Sequence, residues 1–561
     1  MLRSLILKYL LPFIAFVLVG FLLFFPVFRL DLTSDKRYSI AEPTKNLMRN
    51  VTAPINITVY LDGDLNPGFF RLKRATADLL DELSVYAAKP ISVRYVNPSL
   101  ASNTNEREEK YAELAERGMT PTAVYERDKE GKAIQKIVFP WLEIAHKNRT
   151  LPVSLLKNIQ GNSGEENLNI SIENLEFEIT DAIRQLVNTK IPKIAFLEGH
   201  GELSEAETYD ISKTLSRYFQ VDRGMLQTDA SVLDGYEAVV IAGATQPFSE
   251  SDKFIIDQYI MRGGRVLWLI DGVRLAREQL STTGMSPAIE LDVNLSDQLF
   301  RYGVRINPVL LQDVQCVQIP INIAPVGASP QFEPTPWYYA PLLLTSNEHP
   351  VAKNVSQVRA EFPSAISLVG SQENLTIYPL LATSDNTHVI VTPTTIDLSE
   401  ILQPDDKTYF NTAYVPVAVS LEGIFDSNFA NRMMPKGLQN ARSIQNKSVA
   451  TRQIIIANSD IIRNETNGIA SDSTTLPLGF DRYTQQTFGN KEFLQNAVLY
   501  LTDNEGWMEL RSRTLTLRLL NKQIINNNAL TWQLINTMMP ILILAIFGVV
   551  FFVIRWRKFQ R

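Results

Sequence analysis

The sequence predicts a mixed α/β protein in which two membrane-spanning helices flank an exported region. At 561 residues the chain is long enough for several domains of about 150 residues each. Two long uncharged runs lie near its ends, at residues 9–28 and 532–554. Between them, continuously apolar strands alternate with amphipathic helices, which is typical of a parallel sheet with helices on both faces.

The two uncharged runs have the length that is needed to cross the hydrocarbon core of a bilayer. A buried core helix is the alternative for either run. The first run could also be a cleaved signal peptide, but it is long for one and has no A-x-A-like site before Arg29. We therefore expect a retained N-terminal anchor and a second, C-terminal span.

Basic residues set the expected orientation of the two spans. The basic residues outside the spans are Arg3, Lys8, Arg555, Arg557, Lys558 and Arg561. By the positive-inside rule both termini are then cytoplasmic, and residues 29–531 are outside the cytoplasm. Between the anchors, 48 Lys and Arg stand against 60 Asp and Glu. This balance argues against nucleic acid as a partner.

The first exported domain is predicted to cover residues 29–190 and to be thioredoxin-like in outline. Ser39 is expected to cap a short helix, and ITVYLDGD, RLKRATADLLDELSVYA and ISVRYVNP predict strand, helix and strand. The loop after the first strand has no thiol, which excludes thioredoxin redox chemistry there. A calcium loop starting at Asp62 would lack its glycine and its final glutamate, so an ordinary turn is favoured.

A second exported domain, residues 191–509, is predicted to be doubly wound. The segment SIENLEFEITDAIRQLV precedes it as an amphipathic helix. Strands are expected at IAFL, AVVIAG and VLWLIDG, with helices at residues 204–218 and 249–264, the second started by Ser249 and Asp252. The stretch QIIIANSDII is expected to return to the same sheet.

A ligand groove is predicted where the strands of this second domain end. In such sheets ligands bind beyond the carboxyl ends of the strands, so the loops that follow them should converge. The candidate residues are Glu198, Gly199, His200, Gly201, Gly243, Asp271 and Asp460.

The glycine-rich stretch in this groove only partly matches a dinucleotide-binding loop. Gly199 and Gly201 fit the first two glycines of G-x-G-x-x-G, and Asp222 lies at a distance suited to a ribose contact. Ser204 replaces the third glycine, acidic residues flank GHG, and Ser204 with Glu207 forms an ordinary capping box. We therefore predict no cofactor, although an enzyme that uses the loop 198–202 is kept as an alternative.

Other catalytic patterns are missing from the sequence. It contains neither G-x-x-x-x-G-K-[ST] nor H-E-x-x-H, and its single cysteine, Cys316, is not placed directly after a strand like a hydrolase nucleophile. We expect no metal site and a chain that is not an enzyme.

The segment just before the second membrane span is predicted to be a helix. LRSRTLTLRLLNKQ predicts a basic, leucine-rich helix within residues 510–531, followed by the span and a basic tail at residues 555–561. Within the span, Ala545 and Gly548 form a small-residue surface where another membrane helix could approach.

Six stretches of the chain, in order, resemble one family: the auxiliary, substrate-binding-like subunits of bacterial ABC transporters associated with gliding motility. The stretches are RLDLTSDKRYSI, SIENLEFEITDAI, IAFLEGHGELS, VAVSLEGIFDSNFANR, LGFDRYTQQTFGNKEFLQNAVLYLTDNEG and LRSRTLTLRLLNK.

The resemblance implies a Bacteroidetes-type inner-membrane protein with a periplasmic region. Its partners would be a separate ABC ATPase, an ABC permease and the lipid bilayer, in a homo- or hetero-oligomer. It also implies that the second domain is similar to amidotransferase-like and intraflagellar-transport-like folds without their catalysis. A binding subunit and a purely structural periplasmic strut both fit this resemblance.

Overall fold

The computed structural model describes most of the region between the two predicted anchors and the C-terminal helix. The described residues are 39–100, 103–127, 133–188, 190–324, 329–370, 374–398, 408–467, 474–512 and 528–559, together with 16, 17, 20 and 525. Most of the predicted N-terminal span, and most of the predicted helix at 510–531, lie outside these residues. The chain divides into two compact units, Met1–Arg513 and Thr514–Arg561.

The first sheet of the larger unit has four strands in the order β2-β1-β5-β6. The elements of this region are α1 (Glu42–Arg49), β1 (Ile55–Val59), α2 (Pro67–Tyr86), β2 (Ile91–Tyr95), α3 (Thr104–Glu116), β3 (Thr122–Arg127), β4 (Ala133–Val138), β5 (Trp141–His146) and β6 (Arg149–Ser154). Strands β1 and β2 are parallel and joined through α2, as the predicted crossover requires. Strands β5 and β6 add an antiparallel hairpin, and β3 and β4 form a separate two-stranded sheet.

The helix starts in this region differ in part from the expectation. Asn66 caps α2 by accepting a hydrogen bond from the Phe69 N–H. The predicted cap at Ser39 is wrong, because α1 begins after Ala41. The Ala41 N–H instead donates to the Glu176 carboxylate at 2.7 Å. A contact from a distant helix therefore sets this boundary, which the local sequence does not show.

Helix α4 (Gly164–Val187) packs against the cores of both sheets of the larger unit. It begins with a capping box of Ser163 and Glu166, so the GNSGEEN stretch contains a helix start. Ile179 and Ile183 are buried in the core of the first sheet, whereas Phe177 is buried in the core of the second sheet. The helix is thus shared, and residues 39–512 pack as one unit around it.

The second sheet has ten strands, and its parallel part follows the predicted doubly wound pattern. The elements of this part are β7 (Lys193–Glu198), α5 (Tyr209–Leu215), β8 (Gln220–Met225), β9 (Ala238–Ala242), α6 (Glu250–Met261), β10 (Val266–Leu269) and β23 (Thr451–Ile456). The strand order is β23-β10-β9-β7-β8, all parallel. The late strand β23 therefore returns to this sheet as predicted, and Ser249 caps α6.

The other half of the sheet is antiparallel, which the sequence analysis did not anticipate. Strands β22 (Pro416–Gly423), β19 (Leu375–Ala382), β16 (Phe332–Thr345) and β15 (Cys316–Asn322) extend it beyond β23. The short strand β17 (Val358–Arg359) pairs with β16. The architecture is therefore mixed α/β, with a parallel half and an antiparallel half.

Smaller elements surround these sheets. They are β11 (Val273–Leu275), α7 (Arg277–Thr283), β12 (Met285–Glu290), α8 (Ser296–Arg301), β13 (Val304–Ile306), β14 (Val309–Asp313), β18 (Ile366–Leu368), β20 (Thr387–Val391), β21 (Thr394–Asp397), β24 (Thr466–Asn467), β25 (Thr474–Thr475), β26 (Phe480–Asp481), β27 (Gln486–Thr487), α9 (Asn490–Thr502) and α10 (Glu509–Ser512).

The helix predicted from residue 204 begins later, at Tyr209. The capping-box hydrogen bonds between Ser204 and Glu207 are present. The Glu207 carbonyl, however, accepts from the Asn464 N–H at 2.7 Å, and the Asn464 side chain accepts from the Asp210 N–H. These two bonds to a distant loop replace helix bonds, so residues 205–208 form a turn.

The smaller unit contains one long apolar helix, α11 (Ala529–Phe559). Residues Ala529–Arg557 are long enough to cross a membrane, and an 18-residue stretch within them has a mean hydropathy of 2.8. The predicted span at 532–554 lies inside this helix, as do Ala545 and Gly548, which are both exposed. The helix is consistent with a membrane anchor.

Candidate functional site

The glycine loop, residues 199–203, leaves the end of β7. Gly199 and Gly201 have φ angles of +110° and +72°, which non-glycine residues rarely adopt. A Cβ atom on Gly201 would overlap the Thr245 hydroxyl, and one on Gly199 would lie 3.2 Å from the Met225 side chain. The backbone conformation and the neighbouring side chains therefore explain both glycines, and no contact with a phosphate is needed to explain them.

His200 occupies the centre of this loop and is buried. Its two ring nitrogens lie 3.2 Å from carboxylate oxygens of Glu202 and Asp252, and its ring stacks on Phe248 with centroids 3.7 Å apart. Burial opposes the charged ring, but the hydrogen bonds to the two carboxylates raise the pKa of His200 to about 9. The histidine is thus a charged link between the loop and the start of α6.

The backbone of the loop is also bonded within the protein. The His200 carbonyl accepts from the N–H groups of Thr245 and Gln246 at 2.9 and 2.8 Å. Glu198 is paired with Arg223 at 2.7 Å, and the same guanidinium donates to the Leu203 carbonyl. The His200 carbonyl, the Leu203 carbonyl and the Glu198 carboxylate at this loop therefore all have partners within the protein.

The strand-end loops converge as predicted. A Cβ atom on Gly243, after β9, would lie 3.0 Å from the Ser459 side chain, after β23. Asp271, after β10, accepts hydrogen bonds from the Ser459 N–H and hydroxyl. Burial raises the pKa of Asp271. Ser459 therefore joins the loops of three neighbouring strands, and Asp460 follows it directly.

Asp460 lies in a cleft that the other candidate residues do not line. The cleft is a cavity of about 60 Å³. Its charged walls are Arg277, Arg359, Glu361, Asp460, Arg463 and Glu465. We call this set the charged cleft. It contains three guanidinium groups and three carboxylates, so its walls are balanced in charge.

Ion pairs tie the walls of the charged cleft together. Arg277 Nη1 lies 2.7 Å from Glu361 and 2.9 Å from Asp460, and Arg359 Nη1 lies 2.6 Å from Glu465. The buried Nε atoms of Arg359 and Arg463 have no hydrogen-bond partner among the described residues, although Arg463 Nε lies 3.9 Å from the Asp460 carboxylate.

Of the six residues of the charged cleft, only Asp460 is predicted from the sequence. The sequence does contain one signal for this cleft. The predicted strand at 453–457 is followed closely by three residues of alternating charge, Asp460, Arg463 and Glu465. Arg277, Arg359 and Glu361 come from other loops, and no local pattern connects them with Asp460. Only the fold brings these residues together.

Among the described residues, no group of three or more His, Cys, Asp or Glu side chains is arranged to hold a metal ion. Asp62, at the start of the calcium-loop-like turn, is paired with Lys73 at 2.6 Å. Cys316 is partly buried on β15, and burial raises its pKa to about 12. A thiol with so high a pKa is a poor nucleophile at neutral pH.

Comparison with known proteins identifies the family. A family model described as an ABC-type uncharacterized transport system matches residues 191–497, more than half of the chain. The chain belongs to this family. A second model, a domain of unknown function named DUF7088, matches residues 34–145. The first match covers the whole second sheet, and the second match covers β1, β2 and most of β5 of the first sheet but not β6.

Two similar proteins add less detail to this ABC-type family assignment. An uncharacterized protein of Borreliella burgdorferi (strain ATCC 35210 / DSM 4680 / CIP 102532 / B31) is 20% identical over 383 residues, which cover 66% of this chain and 68% of that protein. A solved structure, the mmIFT52 N-terminal domain, is 12% identical with a TM-score of 0.31, over 56% of this chain and 99% of that chain. At that TM-score the likeness carries no argument.

Family membership supports an accessory role in an ABC-type transport system and association with an ABC transporter. The expected ABC transporter family is therefore confirmed at this level. Its more specific parts, gliding motility and a Bacteroidetes-type cell, remain predictions.

Proposed function

We propose that the chain is a non-catalytic, substrate-binding-like accessory subunit of an inner-membrane ABC transport complex. Its folded region would lie in the periplasm, both termini would lie in the cytoplasm, and a separate ABC ATPase and permease would be its partners. The observation that carries this proposal is the family match over residues 191–497. The apolar helix α11 supplies a membrane anchor that suits such a subunit.

The glycine loop supports the non-catalytic part of the proposal. A cofactor loop must leave backbone N–H groups and space for the ligand's phosphates. Here the His200 N–H donates to Glu202 at 2.6 Å, Arg223 donates to the Leu203 carbonyl, and the His200 ring is bonded to two carboxylates. Transport in this proposal is powered by the separate ATPase, and this chain contributes binding and assembly.

A structural strut is the second candidate function, and one cluster favours it. Near the end of the folded region, Arg511 lies 2.9 Å from Glu492, which is also 2.8 Å from Lys157. The Arg511 guanidinium lies over the Phe177 ring of α4, 5.0 Å from its centroid. Burial opposes the charge of Glu492, but Lys157 and Arg511 lower its pKa to about 2.

This cluster fastens α10, the last described helix before α11 in the chain, to α9 and to the helix α4 that both sheets share. A pull on the chain beyond residue 512 would therefore be transmitted to the shared helix first. Such a connection suits a subunit that transmits movement as well as one that only holds parts together.

Affinity purification of the tagged full-length chain from its own membranes tests the proposal. We expect an ABC ATPase and a multi-span permease to copurify, at levels well above those from an equally tagged, unrelated protein with one C-terminal span. Recovery of neither partner, with the chain intact in the membrane, would contradict the accessory role.

A helix-replacement variant separates assembly through the membrane from assembly through the folded region. Replacing α11 by an unrelated apolar helix should keep the chain anchored but remove the permease from the purified material, because Ala545 and Gly548 would be lost as a close-packing surface. Retention of the permease would show that the folded region alone makes the complex.

The link to gliding motility belongs to the same proposal and is supported by the sequence resemblance. Deleting the gene in a gliding host should abolish spreading over a surface, and the full-length gene should restore it. Normal spreading of the deletion strain would remove motility from the proposal without affecting the transport role.

A further inference from the structure

Helix α11 carries two amide side chains near one end of an otherwise apolar stretch. Within the predicted span at 532–554 they are Gln533 and Asn536. The neighbouring Thr537 hydroxyl donates to the Gln533 carbonyl of the same helix at 2.8 Å. The two amide side chains are exposed and have no hydrogen-bond partner among the residues that the structure describes. Lipid tails offer no partner either, so an amide at this place in a bilayer favours a neighbouring helix that can bond it.

Pro540 adds an unbonded backbone carbonyl to the same turn of the helix. Proline has no N–H, so the carbonyl four residues earlier, that of Asn536, loses its usual helical donor. Asn536 therefore presents two side-chain N–H donors, one side-chain oxygen and one free carbonyl. These groups lie about 6 Å inside the apolar stretch, measured from Trp532 along the helix axis.

Gln533 and Asn536 begin a regular seam along α11. Its residues follow one another at alternating intervals of three and four, which is the spacing of a left-handed pair of helices. They are Gln533, Asn536, Pro540, Ile543, Phe547, Val550 and Ile554, which we call the amide seam. At about 100° of turn per residue, Ala545 and Gly548 point about 100–160° away from the nearest seam residues. The amide seam is therefore separate from the small-residue surface that is proposed to contact the permease.

A second copy of α11 matches the amide seam in its hydrogen-bonding groups. Copies of one chain share one membrane orientation, so two α11 helices are parallel and place both Asn536 residues at the same depth. There the pair has four side-chain N–H donors for two side-chain oxygens and two free carbonyls, so donors and acceptors are equal in number. The rest of the seam is apolar and uncharged, so no charge repulsion opposes the close approach of two copies.

We propose that the amide seam joins two copies of this chain in the membrane as a parallel helix pair. Asn536 of each copy bonds its counterpart, and the small-residue surface stays available to the permease. This inference rests on the proposed membrane anchoring by α11. Its test detects contacts between copies of the chain, so its failure is distinguishable from a failure to recover the ATPase and the permease.

Cysteine crosslinking of the full-length chain in its own membranes tests the pairing, in a Cys316→Ser background. Ile543→Cys places a thiol on the amide seam. Ile541→Cys is the matched control, about 160° away around the helix and only about 3 Å away in depth. The two isoleucines are similarly exposed, Ile543 at 58% and Ile541 at 62%. Under oxidation we expect a disulfide-linked dimer from Ile543→Cys, several-fold more abundant than from Ile541→Cys.

Three outcomes of the crosslinking would overturn the pairing. Equal amounts of dimer from the two positions would indicate random collision in the bilayer. Absence of a dimer from Ile543→Cys, with the chain intact in the membrane, would leave the seam without a second copy. Crosslinking of Ile543→Cys to the permease alone would assign the seam to that partner.

Substitutions at Asn536 test the amide itself, in the Ile543→Cys chain. Asn536→Leu should lower the association of the two copies about threefold to tenfold, since an interhelical hydrogen bond in a membrane contributes about 0.6–1.7 kcal/mol. Asn536→Gln keeps an amide and should retain most of the dimer. Thr531→Val is the polar control on the other side of α11 and should leave the dimer unchanged. An undiminished crosslinked fraction of Asn536→Leu, in bilayers of varied protein-to-lipid ratio, would overturn the role of the amide.

Discussion

The glycine loop and the charged cleft are neighbouring clusters at the same edge of one sheet, and they differ in how completely the protein satisfies them. In the loop, each charged side chain has a partner from the protein, and His200 is stacked and bonded on both ring nitrogens. In the cleft, two guanidinium Nε atoms have no hydrogen-bond partner among the described residues, and a cavity of about 60 Å³ remains. The glycine loop, which resembles a cofactor motif, thus has its charged groups bonded within the protein. The charged cleft, which matches no sequence motif, keeps a cavity.

The largest expected loss of stability comes from a substitution at Gly201, which tests whether Thr245 packs tightly against the glycine loop. Gly201→Ala should lower the free energy of unfolding by about 2–4 kcal/mol, because left-handed strain and overlap with Thr245 add together. Gly437→Ala is the control for strain alone, since Gly437 has a φ angle of +87° and open space around it. It should cost about 1 kcal/mol.

Chemical denaturation of both glycine variants measures this difference. Equal losses at the two positions would mean that the contact with Thr245 is unimportant. The space over Gly201 would then be available to a ligand, and the contrast between loop and cleft would fail.

A smaller, pH-dependent loss of stability is expected when the charged His200 of the glycine loop is replaced. Because the pKa of His200 is raised to about 9 in the folded chain, its pairing stabilises the fold fully below the unfolded value of 6.5. This contribution is lost as the pH rises through about 9. His200→Gln should therefore cost about 1–3 kcal/mol near pH 6 and little near pH 10.

Urea unfolding of the wild type and the variant across this range measures the effect. His388→Gln serves as the control, since the ring of His388 bonds the Tyr409 carbonyl rather than a carboxylate. A cost for His200→Gln that stays constant between the two pH values would mean that His200 is neutral in the fold.

The sequence was sufficient for the parts of the fold that depend on local pattern. Continuous apolar runs predicted the parallel strands, including the late return of β23, and the capping box at Ser249 predicted the start of α6. Boundaries set by distant contacts were missed. The turn before Tyr209 depends on Asn464, and the start of α1 depends on Glu176.

The same distinction applies to the candidate site. Strand-end geometry predicted that the loops of Gly243, Asp271 and Asp460 converge, because parallel strands all end at one edge. The arginines of the cleft lie far apart in sequence, so only the folded chain shows them together. The antiparallel half of the sheet was missed for a related reason, since its pairing partners are set by register across long connections.

The most direct test of this account is a titration of the full-length chain with NAD⁺ and with Mg²⁺–ATP, followed by calorimetry. The account predicts no saturable binding of either nucleotide with a Kd tighter than about 1 mM, equivalent to about 4 kcal/mol of binding free energy. Such binding would contradict the account, because it would mean that the glycine loop admits phosphates and that an enzymatic role must be considered again.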